Sequence, residues 1–580
     1  MKKIYFAIII GLITAGMFSC AKVDILDPKT TTDLTKETVF ADSARTMDFL
    51  AGVYAQVHYT FSWRRWNSDS GLGESGDEAN GSYAGPTINY VIISTASLSP
   101  LTPGPYSNAW YTGWSSIRAA NVFLANVDKS PISDELKKRT KAEARCLRAW
   151  YYSVLIKNFG GVPLIGDRIF EATDDFNIPR DSYEDCVNYI NSELDEVSND
   201  LPLAYAQAAD YGRVTKGVCK GIKSRVLLYA ASPLFNGGNI GQTPAQRKLV
   251  GYENYDESRW QKAADAAKDV MNLGIYSLYE DNKTAPGYGF SKVFLMRKNS
   301  EFVFTGTQGL NKVLETNFAP RSRSTFAGTP RAVPSQNLAE AFGMSNGKAL
   351  TDPASGFDST NPFINRDPRF GYTFIYNGTP WYLGSTGNKQ PVYTYNGAPT
   401  DGFGVIPYST GYFWRKMMDD NTSGTAGGNT ERCIPLIRYA EILMNYAEAK
   451  NELGDVNAAY DQLKLIRKRA GIIEGADGMY GLKAGMTKEQ MRACIQNEKM
   501  VEFAWEDHRY FDVRRWKTAM ENQNITLMAL KIDKVGAGYK YSKVPVAFYA
   551  QHVFMERNYF FPILQAEISK SPALLQNPGY

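Results

Sequence analysis

The apolar positions of this chain repeat with helical spacing in two regions, one before and one after a long stretch in which that spacing fades. Between 135 and 160, small and apolar residues recur every three or four positions until a glycine pair at 160–161 interrupts them. A narrow face of small residues is typical of a helix that packs closely on another. The pattern therefore predicts a mainly α-helical scaffold.

A helical hairpin is predicted between Pro435 and Ala470. Proline suits a first helical turn, Gly454 ends the first helix, and a second helix follows at 455–470. Apolar positions in this second helix are spaced three, four and three apart, as in a tetratricopeptide repeat, and three other segments share those offsets. The four sets are Val456, Ala459, Leu463 and Ile466; Trp260, Ala263, Ala267 and Val270; Ile117, Ala120, Leu124 and Val127; and, with three positions, Tyr183, Cys186 and Ile190. We therefore expect a tetratricopeptide-like scaffold of four helix pairs.

The character of the chain changes between 281 and 430. This stretch holds 19 of the 49 glycines and 11 of the 27 prolines, interleaved with aromatic residues, so a loop-rich insertion with short strands is predicted. A similar loop-rich stretch runs from 61 to 111. Binding sites concentrate in long ordered loops on a rigid frame, so both stretches are candidate binding regions.

Composition narrows the classes of function. The 64 basic and 60 acidic side chains give a net charge of only +4 without a dense basic run, which argues against nucleic acid as a partner. Three scattered histidines are too few for a histidine metal site, and no cofactor is predicted. The five cysteines after Cys20 show no CxxC spacing and mostly fall in helical patterns, so buried free thiols are expected.

The first twenty residues predict export and lipid anchoring. Two lysines precede an apolar run that is shorter than the roughly 20 residues needed to span a bilayer. Cys20 stands where cleavage is expected, as in a bacterial lipobox, so 1–19 is predicted to be a signal peptide and 20–35 a lipidated tether. An ordinary cleaved signal with a chance cysteine, or an uncleaved apolar anchor, is the alternative, since Met17 occupies a position where lipoboxes usually carry leucine.

The densest charged cluster contains Glu498, Glu502 and Glu506 at four-residue spacing, with several arginines close behind them. Two acids that flank a bond are the machinery of glycoside hydrolysis. The favoured interpretation is structural, because acids that pair with neighbouring arginines also lock helices together without catalysis. No catalytic residue is predicted.

Several blocks, in order along the chain, resemble the RagB/SusD family of outer-membrane lipoproteins. They are VDILDP after Cys20, AEARCLRAWYYSVLIKNFGGVPLI at 142–165, RYAEILMNYAEAKNELGD at 438–455, NEKMVEFAWEDHRYFDVRRW at 497–516, and the ending NYFFPILQAEISKSPALLQNPGY. Two positions depart from the family pattern: Lys499 replaces the usual arginine and Asp507 the usual glycine.

The resemblance implies a lid on a SusC-like TonB-dependent outer-membrane transporter, one that captures oligosaccharide, or in some members peptide, without catalysis. The protein would be lipid-anchored in the outer membrane and face the cell exterior. The implied organisation is an N-terminal helical region at 36–280 with a glycan-site loop at 61–111, an insertion at 281–430, and a C-terminal helical region at 431–580.

Sugar binding needs flat aromatic faces with hydrogen-bonding groups at their edges, and the loop from 61 to 90 is rich in both. Candidate platforms there are Trp63, Trp66, Tyr83 and Tyr90, and candidate hydrogen-bonding residues are Arg65, Asp69, Asp77, Glu78 and Asn80. The resemblance places an Asp-Glu pair near the glycan, and Asp77 and Glu78 match it. For each residue the alternative is an aromatic or polar group that fixes the loop to the scaffold.

The insertion offers further candidates, namely Tyr288, Phe290, Trp381, Tyr382, Tyr393 and Tyr395. Trp381 and Tyr382 follow a Gly-Thr-Pro turn and are predicted at an exposed loop tip. By contrast, Trp110 and Trp114 lead directly into a helix and are assigned to the core. Asp419, Asp420 and Asn421 have side chains that calcium accepts, but a solvated loop is the favoured interpretation.

The leading hypothesis is a cell-surface, lipid-anchored glycan-binding subunit of a nutrient uptake complex. The first alternative is a peptide-binding member of the same family. A helical-repeat adaptor without a small ligand and a secreted glycosidase are the others.

Overall fold

The computed structural model describes residues 35–59, 72–82, 85, 88–101, 104–324, 330–406, 408–424 and 428–580. Within these ranges the α-helices are α1 (Lys36–Phe40), α2 (Ser43–Tyr54), α3 (Asn89–Ser94), α4 (Pro105–Asn126), α5 (Asp134–Phe159), α6 (Tyr183–Ser198), α7 (Lys216–Ala231), α8 (Pro244–Val250), α9 (Ser258–Met271), α10 (Tyr288–Lys292), α11 (Val313–Asn317), α12 (Gln336–Ala341), α13 (Pro368–Thr373), α14 (Tyr439–Glu452), α15 (Val456–Arg469), α16 (Lys488–Glu502), α17 (Arg509–Arg515), α18 (Ala519–Asn522) and α19 (Gln565–Lys570). The strands are β1 (Ala79–Gly81), β2 (Phe302–Thr307), β3 (Ala332–Pro334), β4 (Phe374–Ile375), β5 (Pro380–Leu383), β6 (Asn388–Pro391), β7 (Phe413–Trp414), β8 (Cys433–Arg438), β9 (Met528–Val535) and β10 (Gly538–Pro545).

Four helix pairs form the scaffold in the described part of the chain: α2 with α4, α5 with α6, α7 with α9, and α14 with α15. Each pair contacts the next, through α4 and α5, α6 and α7, and α9 and α14. The second helix of every pair carries one set of the predicted apolar positions, except for Val127, which directly follows α4. These side chains are buried, apart from Leu124 and Val456, which are half-buried. The predicted mainly α-helical, tetratricopeptide-like fold is confirmed.

Local sequence signals set the ends of the longest helix, α5. At its start the Ser133 hydroxyl accepts the backbone N–H of Leu136, which satisfies one of the free donors of the first turn. At its end Gly160 has φ +78°, and a Cβ atom there would lie 2.4 Å from the Leu249 carbonyl oxygen. Only glycine combines this left-handed backbone with so close an approach, so the chain turns sharply at this point.

The helix predicted to begin near Pro435 begins later, so that part of the prediction is wrong. Residues Cys433–Arg438 form β8, which pairs antiparallel with β2, and the helix follows directly at Tyr439. Proline is tolerated because the sheet has two strands and because the pairing shifts register next to Thr305, the partner of Pro435. The short apolar run before the helix is therefore a buried strand.

The 281–430 stretch lies between the third and fourth helix pairs, and its described residues form loops, short helices and the short strands β2 to β7. It is not packed separately from the scaffold. Phe294, Phe370 and Trp414 belong to the same hydrophobic core as Ile117 and Trp150. The scaffold and this stretch therefore bury a common interior.

The described cysteines are free thiols, as predicted. Cys146, Cys186, Cys219 and Cys433 are buried, and Cys494 is half-buried. Among the helices of the described ranges, none has the length and apolar character needed to cross a bilayer.

Candidate functional site

Asp77 and Glu78 lie buried at the base of the predicted binding loop. The Arg509 Nη2 atom is 2.7 Å from Asp77 Oδ2, and the Trp505 backbone N–H donates to Glu78 Oε1 at 3.3 Å. Burial, reinforced by the charge of Asp77, raises the pKa of Glu78 to about 8. Both acids therefore fasten residues 72–82 to the segment around α17, and neither presents a free carboxylate to solvent.

Asn80 and Tyr90 are also enclosed. The Asn80 side-chain amide donates to the Tyr408 carbonyl oxygen at 3.3 Å, and β1 pairs with β3. The ring of Tyr90 packs so closely on Gly81 that a Cβ atom there would lie 2.3 Å from the ring. With the ring only 3% exposed, Tyr90 does not offer a face to a sugar. Trp63, Trp66 and Tyr83, like Arg65, Asp69 and Cys20, lie outside the described residues.

Trp381 is not at an exposed loop tip, so this prediction is wrong. It lies within β5, is fully buried, and donates its indole N–H to the Thr422 carbonyl oxygen at 3.3 Å. The tip of the β5–β6 hairpin comes later, at 384–387. Side chains alternate along a strand, so Tyr382 leaves on the opposite face, where it is half-buried. Tyr288 is half-buried, with its ring centroid 6.4 Å from that of Tyr372.

Three tyrosines do form an exposed aromatic surface, which we call the tyrosine strip: Tyr393, Tyr395 and Tyr539. Tyr393 and Tyr395 alternate with the buried residues Val392 and Thr394, so both rings lie on the outer side of this segment. The ring centroid of Tyr395 lies 5.8 Å from that of Tyr393 and 5.8 Å from that of Tyr539 on β10. Tyr393 is 45% exposed and the other two are half-buried. Tyr393 is therefore the most open ring of the strip, while Tyr395 and Tyr539 are partly packed on the core. Neighbouring ring planes are tilted by 58° and 36°.

Hydrogen-bonding groups stand at the edge of the tyrosine strip. The Asn396 amide donates to Asp533 Oδ1 at 3.0 Å, and the Lys534 ammonium lies 5.6 Å from the centroid of the Tyr395 ring. An amide, a carboxylate and an ammonium together can donate to and accept from sugar hydroxyls. This combination of flat apolar faces and polar edges is the chemistry that pyranose binding requires.

Sequence reasoning found part of this surface and missed the rest. It named Tyr393 and Tyr395, but it did not name Tyr539 or a second aromatic pair, Tyr408 and Phe548, whose centroids are 5.3 Å apart. Phe548 is 43% exposed. The glycine-rich turn at 536–538 and the alternating Tyr539 and Tyr541 after it predict a hairpin, but this pattern does not say which rings the hairpin contacts.

The assignment of Trp110 to the core is confirmed, since it is 4% exposed. Trp114 is half-buried and packs on Trp110 and Tyr152, with centroids 5.7 and 6.0 Å away.

The glutamate cluster on α16 and after it is buried and ion-paired, as the structural interpretation expects. Its partners, however, come from distant parts of the chain, because Arg509 pairs with Asp77 and Arg515 with Glu448. Arg438 donates to Glu502 Oε1 at 2.7 Å and to both oxygens of Glu506 at 2.7 Å. Arg369 lies 2.7 Å from Glu498 and 3.0 Å from Glu502. Burial alone would raise the pKa of Glu502, but the surrounding guanidinium groups hold it well below its usual value. These acids tie α16 to β8 and α13.

Asp419 and Asp420 have protein partners. Asp419 Oδ1 accepts the backbone N–H of Asn421 at 3.0 Å, and Asp420 pairs with Lys389 and Arg415 at 3.0 and 3.1 Å. In the ranges that the structure covers, no three His, Cys, Asp or Glu side chains are grouped as metal ligands. The expectation of no cofactor stays a prediction.

Four helix pairs with an irregular, aromatic-rich stretch define a tetratricopeptide-like helical-repeat protein. A family model described as "SusD family" matches residues 300–580, and one described as "Starch-binding associating with outer membrane" matches residues 71–228. The chain belongs to the SusD/RagB family.

Individual members of the family align with this chain over nearly its whole length. SusD-like protein P25 of Formosa agariphila is 22% identical over 535 residues, which cover 89% of this chain and 90% of that protein. A crystal structure of a SusD-like protein from Bacteroides fragilis has a TM-score of 0.75 at 24% identity and covers 94% of this chain and 98% of that one. A laminarin-binding SusD-like protein has a TM-score of 0.61 at 20% identity, with coverages of 93% and 100%. At these identities the structural likeness establishes the fold.

Proposed function

We propose that this protein is a lipid-anchored glycan-binding subunit that captures oligosaccharides at the cell surface and delivers them to a SusC-like TonB-dependent transporter. The observation that carries the sugar assignment is the tyrosine strip. Its three rings follow one another at 5.8 Å, and amide, carboxylate and ammonium groups stand beside them. Family membership supports the transporter and the anchor at Cys20.

The contacts that the tyrosine strip offers make glycan binding weak and reversible. Stacking on a half-exposed ring buries little apolar surface, and each hydroxyl that bonds to the protein gives up a bond to water. Such contacts suit a protein that must release its ligand to a partner. The buried acid network keeps its carboxylates paired with arginine, and no bond cleavage is part of the proposal.

Isothermal titration of the full chain against starch and laminarin oligosaccharides, uronic-acid oligosaccharides and a peptide panel tests the sugar assignment. The double variant Tyr393→Ala, Tyr539→Ala should lower the affinity for the glycan about tenfold, which corresponds to about 1.4 kcal/mol of binding free energy. Tyr255→Ala, at a tyrosine that is 61% exposed and outside the strip, is the matched control and should leave affinity unchanged. Saturable binding of peptides without any glycan binding would overturn the proposal.

The anchor and the partner need separate tests in cells. Cys20→Ser should abolish acylation and release the protein from the outer-membrane fraction. The wild-type protein should copurify with an outer-membrane transporter after detergent extraction. A Cys20→Ser variant that stays acylated would show that Cys20 is not the anchor. Purification without any transporter would contradict the delivery step but not the sugar binding.

A further inference from the structure

A cavity that is separate from the tyrosine strip lies between α4, the 163–178 segment and α19. It has a volume of about 540 Å³, within the range of small-ligand pockets. We call it the aromatic cleft. Its walls include Tyr111 and Arg118 from α4, Arg168 and Phe176 from the middle segment, and Glu567 and Ser571 from the C-terminal segment.

Two rings of the aromatic cleft remain largely open to solvent. Tyr111 is 47% exposed and Phe176 is 48% exposed. One face of the Phe176 ring stacks on Phe170, with centroids 5.5 Å apart, and the rest of the ring faces solvent. Exposed rings that flank a formed cavity are unusual for packing alone, and they provide the apolar surfaces on which a sugar ring or another flat ligand rests.

The rim of the aromatic cleft carries more positive than negative charge. Arg118 donates to the Phe170 carbonyl oxygen at 2.8 Å, and the Arg168 guanidinium lies 4.1 Å from the centroid of the Phe170 ring. Neither arginine makes an ion pair within the described part of the chain. The one carboxylate, Glu567, accepts from Lys570 at 3.0 Å and from the Tyr111 hydroxyl at 3.4 Å. Among the lining residues, two guanidinium groups beside the open rings therefore have no ion-pair partner. The acids of the same segment, Asp167, Glu171, Asp174 and Asp175, lie outside the lining.

We propose that the aromatic cleft is a second carbohydrate site, selective for acidic oligosaccharides such as those built from uronic acids. A pyranose ring rests on Tyr111 and Phe176, and its carboxylate bonds to Arg118 and Arg168, whose planar groups suit bidentate contact with a carboxylate. The sugar assignment rests on the proposed glycan-binding function. The preference for acidic ligands rests on the charge of the rim alone.

The cavity size and its polar rim favour a short acidic sugar over a macromolecular partner. A volume of about 540 Å³ accommodates a ligand of a few rings. A protein partner would be expected to bury about 800 Å² per side on a flatter surface. The Ser571 hydroxyl accepts the Ile178 backbone N–H at 3.2 Å, which joins two walls of the cleft and gives it a fixed shape.

The test is titration of the full chain with trigalacturonate and, separately, with maltotriose at low salt. Trigalacturonate should bind at least about tenfold more tightly at this site, because charge attraction adds to stacking, and 0.5 M NaCl should remove most of that difference. Arg118→Gln combined with Arg168→Gln should lower trigalacturonate affinity tenfold or more. Phe176→Ala should weaken it as well. Arg45→Gln, at an exposed arginine on α2 outside the cleft, is the matched control.

The variants separate this proposal from the proposed function. The Tyr393→Ala and Tyr539→Ala double variant should keep trigalacturonate binding at the cleft. If that variant loses all glycan binding while the arginine and Phe176 variants lose none, the cleft proposal is wrong and the tyrosine strip stands. If no glycan binds to the wild-type chain at all, both proposals fail. Binding of acidic peptides that is lost in the arginine variants, with no trigalacturonate binding, would overturn the sugar assignment of the cleft.

Discussion

Glu78 is a side chain whose chemistry is set by its surroundings. Its carboxyl is buried and accepts the backbone N–H of Trp505 at 3.3 Å, while Arg509 pairs with Asp77. Removal from water raises the pKa of Glu78 from 4.5 to about 8. At neutral pH this residue is therefore mostly a neutral hydrogen-bonding acid, which explains how an Asp-Glu pair can sit side by side in the interior.

The raised pKa of Glu78 predicts a stability that falls as pH rises from the acidic range to about 8. The folded protein keeps a proton that the unfolded chain releases above pH 4.5, so the free energy of unfolding should fall as pH rises from about 4.5 to 8. Glu78→Gln replaces the carboxyl group with an amide that does not titrate, so this contribution to the pH dependence is lost. In thermal unfolding, the Tm of this variant relative to wild type should rise between pH 5.5 and 8.5, by about 2 °C or more.

The Glu135→Gln variant, at an exposed position on α5, is the control for Glu78→Gln, and its Tm difference should change less with pH than that of Glu78→Gln. A Glu78→Gln variant whose difference from wild type is the same at both pH values would mean that Glu78 is ionised in the folded protein.

Asp507, where the family usually has glycine, has a backbone φ of +61°. This left-handed conformation costs residues with a Cβ atom about 1 kcal/mol, and aspartate bears it better than alanine. Asp507→Ala should therefore lower the free energy of unfolding in urea by about 1 kcal/mol. Asp507→Gly should stay within about 0.5 kcal/mol of wild type, because relief of strain offsets the added freedom of the unfolded chain. An alanine variant more stable than the glycine variant would show that backbone strain is not what selects the residue here.

At the scale of elements, β8 and α16 are joined through one buried arginine. Arg438 contacts Glu301, Glu502 and Glu506, each at 2.7 Å. Buried charges are costly when they lose a partner, so the arrangement holds only while every acid has its cation. The network thus fixes how the last helices meet the strand that precedes α14.

Arg438→Met should destabilise the protein by about 3–5 kcal/mol, because it leaves buried carboxylates with fewer cations. Arg438→Lys should also destabilise it, but less, since an ammonium keeps the charge and loses the planar fork. Urea unfolding measures both. Arg45→Met, at an exposed position, should change stability by no more than about 0.5 kcal/mol. A methionine variant as stable as wild type would contradict the network's role.

Elements with a strong helical period were predictable, and elements set by distant contacts were not. The second helices of all four pairs carry apolar positions that only a buried helix face explains. By contrast, the apolar run before Tyr439 is compatible with either a helix or a strand, and it forms a strand because it pairs with β2. Trp381 was misplaced because the turn that precedes β5 is not the tip of its hairpin.

The candidate site shows the same limit. Tyr393 and Tyr395 were recognisable as aromatic residues in a loop, but the strip is completed by Tyr539 from the β9–β10 hairpin. Their meeting depends on chain segments far apart in sequence, and no local pattern reports it. Likewise, the loop acids looked available for a ligand until Arg509 and Trp505 were seen to occupy them.

At the scale of the whole molecule, the 281–430 stretch and the helical scaffold should unfold as one unit. Phe294, Phe370 and Trp414 share the scaffold's core, and Arg369 pairs with Glu498 and Glu502 on α16. The Lys416 ammonium adds a bond to Glu506 at 2.6 Å. Separating the two parts would expose apolar surface and leave buried charges unpaired at the same moment, so neither should persist alone.

Differential scanning calorimetry should therefore give a single transition whose calorimetric and van't Hoff enthalpies agree. Limited proteolysis should not release a stable fragment that corresponds to residues 281–430. Arg369→Met, which removes the cation between Glu498 and Glu502, should lower the Tm of that one transition without splitting it, because the shared core still couples the two parts. Two resolved transitions in the wild-type chain, or a protease-resistant 281–430 fragment, would show that the insertion is an independent folding unit, and the common interior would then not be what holds the loops of the tyrosine strip in place.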